Sequence, residues 1–353
     1  MPETPHVLQG RVPFVIDMPR SVDVVIIGGG FAGLATAWAL AARGITDVIV
    51  LEREADLGRF ASGRSAGLGR QLAEDDPLTA LTVRGAALLR AKFPQAWTET
   101  GGVLSFDNVE HAQVYSERAA RFGLVVEPLA RDMVLGHWPA LEAVEIAAAL
   151  HIPTDGVIDV KALLEGFAAG VAIACSARVD EIVPMNGGAR VVTPRGDVVA
   201  RAVVDATGAW AGQLVGDPPL ASLKRHVYLL DAQPTARSPF VWHLGACELY
   251  VRGAGGEVLV SPCDSTPTPA GDQQPDAGGE AKMRRAFAGS PYETATVTRA
   301  WACQRSFTPT GAMLLGRDPS RPWLVWAAGL GGHGATASAA VGETVAAALR
   351  SML

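Results

Sequence analysis

The chain has 353 residues, of which 49% are hydrophobic and 19% charged, and its formal net charge is −6 at pH 7. This length allows one large domain or two interleaved domains, whereas the acidic balance argues against a nucleic-acid partner, which needs a basic stripe. The four widely spaced cysteines predict reduced thiols and neither a disulfide framework nor a metal site. The N-terminal segment lacks the apolar core of a signal sequence, and no apolar run reaches the roughly 20 residues of a membrane span. We therefore expect a cytoplasmic protein without a transmembrane segment.

A strand, a glycine-rich turn and a helix follow one another from Val22 onward. A β-branched run leads into Gly28-x-Gly30-x-x-Gly33, and an alanine-rich helical stretch continues to Gly44, the predicted C-cap. In this spacing the first glycine makes a tight turn, the second lets the backbone approach a pyrophosphate, and the third allows close packing of the helix on the strand. Because the helix N-terminus faces the phosphates, the pattern predicts a dinucleotide site.

The segments after the first helix indicate which dinucleotide is bound. A second apolar run ends in Glu52, nineteen residues after Gly33, where a carboxylate can accept hydrogen bonds from ribose hydroxyls and disfavours the 2′-phosphate of NADP. Residues 58–71 are too rich in glycine and serine for the crossover helix expected of an NAD dehydrogenase. A later strand within residues 200–214 ends in Ala-Thr-Gly, and the C-terminal region gives a strand, a glycine turn and a helix. These pieces are typical of an FAD-binding fold assembled from separated segments.

Short motifs in the same order strengthen this interpretation. The segment "ASGRSAG" at residues 61–67 is similar to an ASGRNAG segment that wraps a flavin, and "GLGGHGATAS" at 329–338 is similar to a GHSGHG turn. The segment "WACQRSFTP" at 301–309 resembles WAGLRPxTP. On these motifs the chain resembles the D-amino acid oxidase superfamily, on the branch that holds glycine oxidase, sarcosine oxidase and D-amino acid dehydrogenases. The resemblance runs from Val22 to the C-terminus.

This resemblance implies an α/β fold with two domains. An FAD-binding Rossmann-type domain would be assembled from the discontinuous segments 1–105, 151–215 and 300–353, and an α+β substrate-binding domain with an antiparallel sheet from 106–150 and 216–299. Within the substrate-binding domain, residues 261–280 are dense in Pro, Gly and Asp. We expect them to form a mobile surface loop without strand or helix, either a plain connection or a lid over the substrate entrance.

The resemblance also implies FAD as the cofactor and assigns its contacts motif by motif. Val179 matches a position whose backbone meets the adenine, and the glycine turn before Gly334 would stabilise the negative charge that develops at flavin N1 and C2=O. The predicted cofactor-binding residues are Gly28, Gly30, Phe31, Ala32, Gly33, Glu52, Arg53, Ser62, Gly63, Arg64, Ala66, Gly67, Val179, Thr207, Gly208, Trp210, Cys303, Gly331, Gly332, His333 and Gly334.

The predicted substrate-binding residues are Arg305, Tyr250 and Arg252. Trp301 and Arg305 keep the spacing of the family's arginine that binds the substrate carboxylate, a role that suits the forked donors of a guanidinium. The alternative is an arginine satisfied by carbonyls or an internal acid. Tyr250 stands where relatives place a second donor to the carboxylate, or is a core-facing strand aromatic. Arg252 lies two residues further, on the same strand face, and could point to the same cavity or to solvent.

Cys303 admits two interpretations. In sarcosine oxidases a cysteine at the same distance from a Thr-Pro pair bonds covalently to the 8α-methyl group of the flavin. A free cysteine is also one of the most buried residue types and packs as a small hydrophobe. We favour the inert buried thiol over covalent attachment of FAD.

The function implied by the resemblance is FAD-dependent oxidation of a small amino acid or N-substituted amino acid. Hydride would leave Cα for flavin N5, the imine product would hydrolyse, and oxygen or an electron carrier would accept the electrons. We expect His333, within the glycine turn, to serve packing or hydrogen bonding rather than act as a base. Self-association is left open.

Two other classes of function are retained. A relative that oxidises a 2-hydroxy acid or glycerol phosphate would share the flavin frame, but it needs a base for the hydroxyl proton, supplied by His226, His243 or His333. A phosphate substrate would also require more clustered cations than the three predicted substrate-binding residues provide. The other alternative is a flavin-containing subunit or sensor that turns over no amine.

Overall fold

The computed structural model describes residues 18–216, 220–233 and 238–353. The N-terminal residues in which the sequence predicts no signal segment lie mostly outside this described part. The helices are α1 (Phe31–Ala41), α2 (Asp76–Lys92), α3 (Val109–Arg121), α4 (Arg131–His137), α5 (Val160–Ala168), α6 (Ala277–Ala286), α7 (Pro291–Thr294) and α8 (Gly334–Arg350). No helix of the described chain is long and apolar enough to cross a membrane.

The strands are β1 (Ser21–Ile27), β2 (Val48–Leu51), β3 (Leu68–Gly69), β4 (Trp97–Glu99), β5 (Gly102–Phe106), β6 (Glu127–Leu129), β7 (Ala148–Ile152), β8 (Gly156–Ile158), β9 (Ala172–Ala174) and β10 (Glu181–Met185). They continue with β11 (Gly188–Val192), β12 (Val198–Asp205), β13 (Ala221–Leu230), β14 (Phe240–Leu244), β15 (Leu249–Ala254), β16 (Glu257–Ser261), β17 (Thr266–Pro267), β18 (Val297–Phe307), β19 (Leu314–Arg317) and β20 (Leu324–Ala328).

An eight-stranded sheet forms the dinucleotide side of the molecule, in the order β10-β11-β12-β1-β2-β9, with β20 beside β12 and β19 beside β20. Strand β1 runs parallel to β2 and β12. Its β-branched residues are almost all buried, as expected for a central parallel strand covered on both faces. The predicted strand, glycine turn and helix therefore form β1 and α1.

Helices α1 and α8 pack against each other through small residues. A Cβ added at Gly342 would lie 2.2 Å from the carbonyl oxygen of Ala35, so only glycine permits this approach. Helix α1 ends at Ala41 with Ala42 as its C-cap, and Gly44, the predicted cap, lies in the following turn with a φ of +76°. The cap prediction was therefore misplaced by two residues.

A nine-stranded sheet forms the other side, in the order β17-β13-β16-β15-β14-β5-β7-β6, with β18 paired to β13. It is antiparallel except where β14 runs parallel to β5. Residues of α4, α6 and α7 pack on one face of this sheet. Its opposite face, which carries Trp242, Tyr250 and Trp301, turns toward the dinucleotide side.

The sheet pairing crosses the predicted domain boundaries. Strands β5 and β18 belong to the nine-stranded sheet, although the boundaries at residues 106 and 300 assign the larger part of each strand to the FAD-binding domain. Strand β7 also belongs to this sheet and straddles the boundary at 151. Motifs mark where a cofactor is contacted, but they do not report which sheet a strand joins.

The prediction of an unstructured mobile loop at 261–280 was wrong in part. The segment contains β17 and the start of α6, and Asp264 within it is buried. Its polar residues find partners in the fold: the Asp276 side chain accepts a hydrogen bond from Gly279 N at 2.9 Å and caps α6. A polar composition therefore did not prevent ordered packing here.

Candidate active site

One elongated cavity of about 420 Å³ lies between the carboxyl ends of the parallel strands and the inner face of the nine-stranded sheet. Glu52, Val179 and Trp210 line it on one side. Tyr250, Cys303 and Arg305 line it on the other. The structure thus brings most of the predicted cofactor residues and two of the three predicted substrate residues to one space, at the edge of a parallel sheet where ligands usually bind. The described residues contain no cluster of His, Cys, Asp and Glu suited to a metal ion.

The first glycine turn is tightly enclosed by backbone. Gly28 has a φ of +115°, and a Cβ there would lie 2.4 Å from the carbonyl oxygen of Ala206. At Gly33 a Cβ would lie 2.0 Å from the carbonyl oxygen of Gly28, so the predicted close packing of helix on strand is present. Ser62 approaches Gly30, and its hydroxyl accepts a hydrogen bond from Phe31 N at 2.9 Å. The helix N-terminus therefore already holds one side-chain cap.

Glu52 is held in place by the backbone on both sides of its carboxylate. One oxygen accepts from Gly29 N at 2.7 Å and the other from Glu54 N at 2.8 Å. Burial raises the pKa of Glu52, while these two hydrogen bonds and Arg53 act to lower it. Each carboxylate oxygen keeps a further lone pair, which suits acceptance from ribose hydroxyls.

An aromatic and cationic wall lies beside Glu52. The Arg53 guanidinium is 4.4 Å from the ring centroid of Trp210 and 5.3 Å from that of Phe60. Asp205 fixes the neighbouring turn, since its carboxylate accepts from the hydroxyl of Thr207 at 2.6 Å. Phe60 was not predicted as a site residue. The available signal was an aromatic residue within the glycine-rich segment.

The C-terminal glycine turn leads into α8 and faces the cavity. Gly331 has a φ of +56°, and residues 329–336 all line the cavity wall. His333 pairs through Nε2 with the Glu74 carboxylate at 2.7 Å. The predicted hydrogen-bonding role of His333 is thus consistent with its contact, and the N-terminus of α8 borders the cavity, where it favours negative charge.

Four predicted cofactor residues lie behind the cavity wall: Gly33, Gly63, Arg64 and Gly67. Arg64 is buried and donates to the carbonyl oxygens of Gln273 at 2.8 Å and Ala302 at 3.0 Å, and it pairs with Asp272. It therefore joins the flavin-wrapping segment to residues 261–280. Part of this segment lines the cavity, but the motif did not distinguish the residues of the cavity wall from those that support it.

The substrate end is built on one face of the nine-stranded sheet. Cys303 on β18 lies directly opposite Arg225 on β13, and Tyr250 on β15 lies opposite Trp242 on β14. Opposite residues of antiparallel strands point to the same side, and Arg305, two residues from Cys303, shares that side. Cys303 and Arg305 therefore both face the cavity.

Arg305 has only neutral partners in the described chain. Its Nη2 donates to the carbonyl oxygen of Asp264 at 3.1 Å and to the hydroxyl of Ser265 at 2.7 Å, while its buried Nε has no hydrogen-bond partner. Burial and then the nearby charge of Arg225 lower the pKa of Arg305. A Cβ added at Gly332 would lie 3.8 Å from Nη1, so the guanidinium reaches the second glycine turn.

Arg252 does not enter the cavity, contrary to the prediction that it could. Its Nε donates to the carbonyl oxygen of Ala66 at 2.7 Å and its Nη1 to that of Gly253 at 2.8 Å. Burial lowers the pKa of Arg252 to about 10. The two carbonyls draw the side chain away from the neighbouring Tyr250, so Arg252 supports the flavin-wrapping segment.

Cys303 lines the cavity between Arg225 and Arg305. Burial raises the pKa of its thiol, and the two arginines act to lower it. Of the histidines considered as bases, His226 lies between Asp264 and the N–H of Asp276, and His243 contacts Ser105. Neither of these two histidines lines the cavity, so His333 is the member of this group that does.

Sequence reasoning missed three side chains of the substrate end: Arg70, Arg225 and Trp242. Arg70 is 1% exposed, pairs with Glu74 at 2.9 Å, and its guanidinium lies 4.6 Å from the ring centroid of Trp242. The available signal was a charged residue inside an apolar stretch, in "GLGRQLA" and in "LKRHVYLL".

Comparison with known proteins places these features in a family. The profile described as DAO: FAD dependent oxidoreductase matches residues 23–348. The chain is 29% identical over 356 residues to a glycine oxidase from Geobacillus kaustophilus, with 93% of each protein covered. The crystal structure of glycine oxidase from that organism superposes with a TM-score of 0.80, at 26% identity over 94% of this chain and 95% of that one. The predicted fold class and family are thereby confirmed.

Two further relatives differ in the share of the molecule that matches. The mitochondrial dimethylglycine dehydrogenase of Rattus norvegicus is 27% identical over 241 residues, an alignment covering 61% of this chain and 27% of that protein. L-proline dehydrogenase from P. horikoshii superposes with a TM-score of 0.85 at 24% identity, covering 93% of both chains. At that identity the likeness shows the shared fold.

Proposed function

The chain belongs to the DAO family of FAD-dependent oxidoreductases, and we propose that it oxidises a small amino acid or N-substituted amino acid of the glycine, sarcosine or D-amino acid type. The observation that carries this proposal is Arg305, a cation at the end of the cavity with neutral partners only among the described residues. A substrate carboxylate is the counter-charge that this position lacks.

The dinucleotide half of the cavity fits FAD. The packed glycine turn exposes the start of α1, and Glu52 keeps lone pairs for ribose hydroxyls. The turn at 331–333 presents the N-terminus of α8, which favours negative charge. When bound, FAD supplies the acceptor for the hydride that leaves Cα of the substrate.

The residues of this chain orient the substrate rather than attack it. Arg305 would fork two hydrogen bonds to the carboxylate, which fixes the face of Cα that is presented. Tyr250 is a second donor in reach of the same space. Burial raises the pKa of Tyr250, so its hydroxyl stays protonated and can donate. With the amine neutral, its lone pair forms the C=N bond as hydride departs, and water then releases a 2-oxo acid and the amine. Oxygen or an electron carrier takes up the two electrons.

One observation favours a second candidate, oxidation of a 2-hydroxy acid. That reaction requires a base for the hydroxyl proton, and His333 lines the cavity with its Nε2 2.7 Å from the Glu74 carboxylate. The relatives described above are named for amine substrates, and an amine needs no such base. We therefore rank amino acid oxidation first.

Anaerobic bleaching of the visible band of the flavin tests this choice. The holoenzyme is mixed with glycine, sarcosine, D-amino acids, D- and L-proline and 2-hydroxy acids, and each amino acid is paired with its decarboxylated amine. We expect at least one amino acid to bleach the band while its decarboxylated partner does not. Bleaching by 2-hydroxy acids alone would establish the second candidate, and no bleaching by any compound would refute both and favour a non-catalytic flavin protein.

A further inference from the structure

The substrate end of the cavity holds more guanidinium groups than one carboxylate requires. Arg70, Arg225 and Arg305 all line it, and the first two lie within 4.6 Å and 5.8 Å of the ring centroid of Trp242. We propose that the substrate is an amino acid with a second anionic group, which Arg70 and Arg225 bind while Arg305 holds the α-carboxylate. This inference rests on the proposed function and narrows its substrate class.

Arg70 is a buried cation with an unused donor. Its Nε donates to the carbonyl oxygen of Leu72 at 2.8 Å and its Nη1 pairs with Glu74 at 2.9 Å. Its Nη2 is buried and has no hydrogen-bond partner. Glu74 also pairs with His333, so its charge is shared between two partners. A buried N–H group of a cation without a partner is costly unless a ligand satisfies it.

Arg225 is a second buried cation, and its hydrogen-bond partners are backbone carbonyls rather than a carboxylate. It is 3% exposed, and its Nη2 donates to the carbonyl oxygen of Cys263 at 2.9 Å. The nearest carboxylate is that of Glu248, 4.0 Å from Nη2, which is beyond a hydrogen bond. Glu248 instead accepts from the indole N–H of Trp242 at 2.8 Å. Arg225 is thus paired with Glu248 only at 4.0 Å, through the carboxylate oxygen that does not bond Trp242.

One carboxylate cannot satisfy this set of donors. A carboxylate has two oxygens and matches the fork of one guanidinium. If Arg305 takes the α-carboxylate of a substrate with an apolar remainder, Arg70 would keep its unpartnered Nη2, and Arg225 would keep no carboxylate closer than Glu248 at 4.0 Å. A second carboxylate would fill that need. The Trp242 ring beside both guanidiniums offers an apolar surface for the carbon atoms between the two acids.

Two arrangements of the substrate share this chemistry. The second carboxylate can stand on the side chain, as in aspartate or glutamate, or on the nitrogen, as in N-(carboxymethyl)glycine. Matched pairs separate them, since 2-aminobutyrate, 2-aminopentanoate and N-ethylglycine keep the same carbon chain but carry an uncharged methyl group in place of that carboxylate. The pair with the larger ratio of flavin reduction rates, dicarboxylate over methyl analogue, identifies the position of the second carboxylate.

The experiment measures binding and reduction separately on the holoenzyme. The holoenzyme is titrated with succinate and with butyrate, and the change in the visible flavin band reports binding. This compares the affinity for a dianion with that for its monoanionic analogue, without turnover. Anaerobic reduction rates are then compared within each amino acid pair. We expect the dianion of at least one pair to be preferred by about 10- to 100-fold, the value of one or two charged hydrogen bonds. In Arg70→Gln and Arg70→Lys this preference should fall toward one, whereas the control Arg284→Lys on α6 should keep it.

Each outcome decides a distinct point. If amino acids reduce the flavin but wild-type protein shows no preference for a dianion, the proposal is overturned and the proposed function stands. If the preference exists but survives in both Arg70 variants, Arg70 does not hold the second group. If only sn-glycerol 3-phosphate or 2-hydroxy acids reduce the flavin, the amino acid function itself has failed. The FAD content of each purified variant checks that it is folded. If the Arg70 variants fail to bind FAD, the preference of the wild-type protein for the dianion still tests the proposal.

Discussion

At the dinucleotide end of the cavity the wall is mostly backbone, whereas at the substrate end it consists of side chains from four strands. The glycine turn after β1 tolerates no added Cβ at Gly28 or Gly33, because other backbone atoms already occupy that space. The substrate end is instead formed by side chains of β13, β14, β15 and β18, which are spread over residues 221–307: Arg225, Trp242, Tyr250 and Cys303. Backbone geometry leaves a continuous pattern in the sequence, but a site made of distant side chains does not.

The largest expected effect comes from a substitution at the dinucleotide end, where backbone atoms form the wall. In Gly28→Ala the new Cβ would lie 2.4 Å from the carbonyl oxygen of Ala206 at a φ of +115°. We expect loss of FAD binding and a decrease in the free energy of unfolding of more than about 3 kcal/mol. The matched control is Gly44→Ala, where φ is +76° and no atom lies within 4 Å; it should cost about 1–2 kcal/mol and keep FAD. Urea denaturation and FAD content measure both, and equal losses would contradict the contact argument.

The next largest effect comes from a substitution at the substrate end, where side chains form the wall. Arg305→Lys keeps a positive charge but cannot fork two hydrogen bonds to a carboxylate. We expect kcat/KM for the best amino acid to fall by about 100-fold or more, with FAD content unchanged. Steady-state kinetics and the absorbance ratio of the purified protein check this. A variant that keeps wild-type kcat/KM would show that Arg305 is structural.

The dinucleotide end could be predicted from the sequence, whereas much of the substrate end could not. The motif from Gly28 to Gly33, the acid Glu52 and the C-terminal glycine turn are local, so their roles could be stated in advance. Arg70 and Arg225 were missed because their importance depends on Trp242, a residue remote from both. The packing of residues 261–280 was also missed, because it depends on partners such as Arg64 elsewhere in the chain.

A third effect tests a buried carboxyl group outside the cavity lining, that of Asp155 in the turn between β7 and β8. Asp155 is fully buried, and its Oδ1 accepts from Gln71 N and Gln71 Nε2, both at 3.0 Å. Burial raises the pKa of Asp155 to about 7. The folded state therefore keeps a proton that the unfolded state loses near its ordinary pKa, so stability falls as pH rises toward 7.

Between pH 5 and pH 8 the free energy of unfolding should fall by about 2–3 kcal/mol because of the titration of Asp155. Asp155→Asn removes the titration, so this part of the pH dependence should disappear from urea denaturation measured at both pH values. A variant with the same slope as wild type would show that Asp155 is not the group responsible.

The smallest effect concerns Cys303, which lies on the side-chain end but would belong to the cofactor end if it bonded to FAD. Its thiol is half-buried and its pKa is raised by burial, which disfavours the thiolate. We expect acid precipitation to release all FAD into the supernatant, both from wild type and from Cys303→Ser. Flavin that stays with the wild-type chain and is released from the variant would establish a covalent bond.

The measurement that tests the account most directly combines both ends in one experiment. The rate of anaerobic flavin reduction is measured for the best amino acid and for its decarboxylated amine, in wild type and in Arg305→Lys. If the amino acid carboxylate is anchored by Arg305, wild type should prefer the amino acid by about 100-fold or more, and the variant should lose most of this preference while still binding FAD. Equal reduction by the amine and the amino acid in wild type would contradict the account.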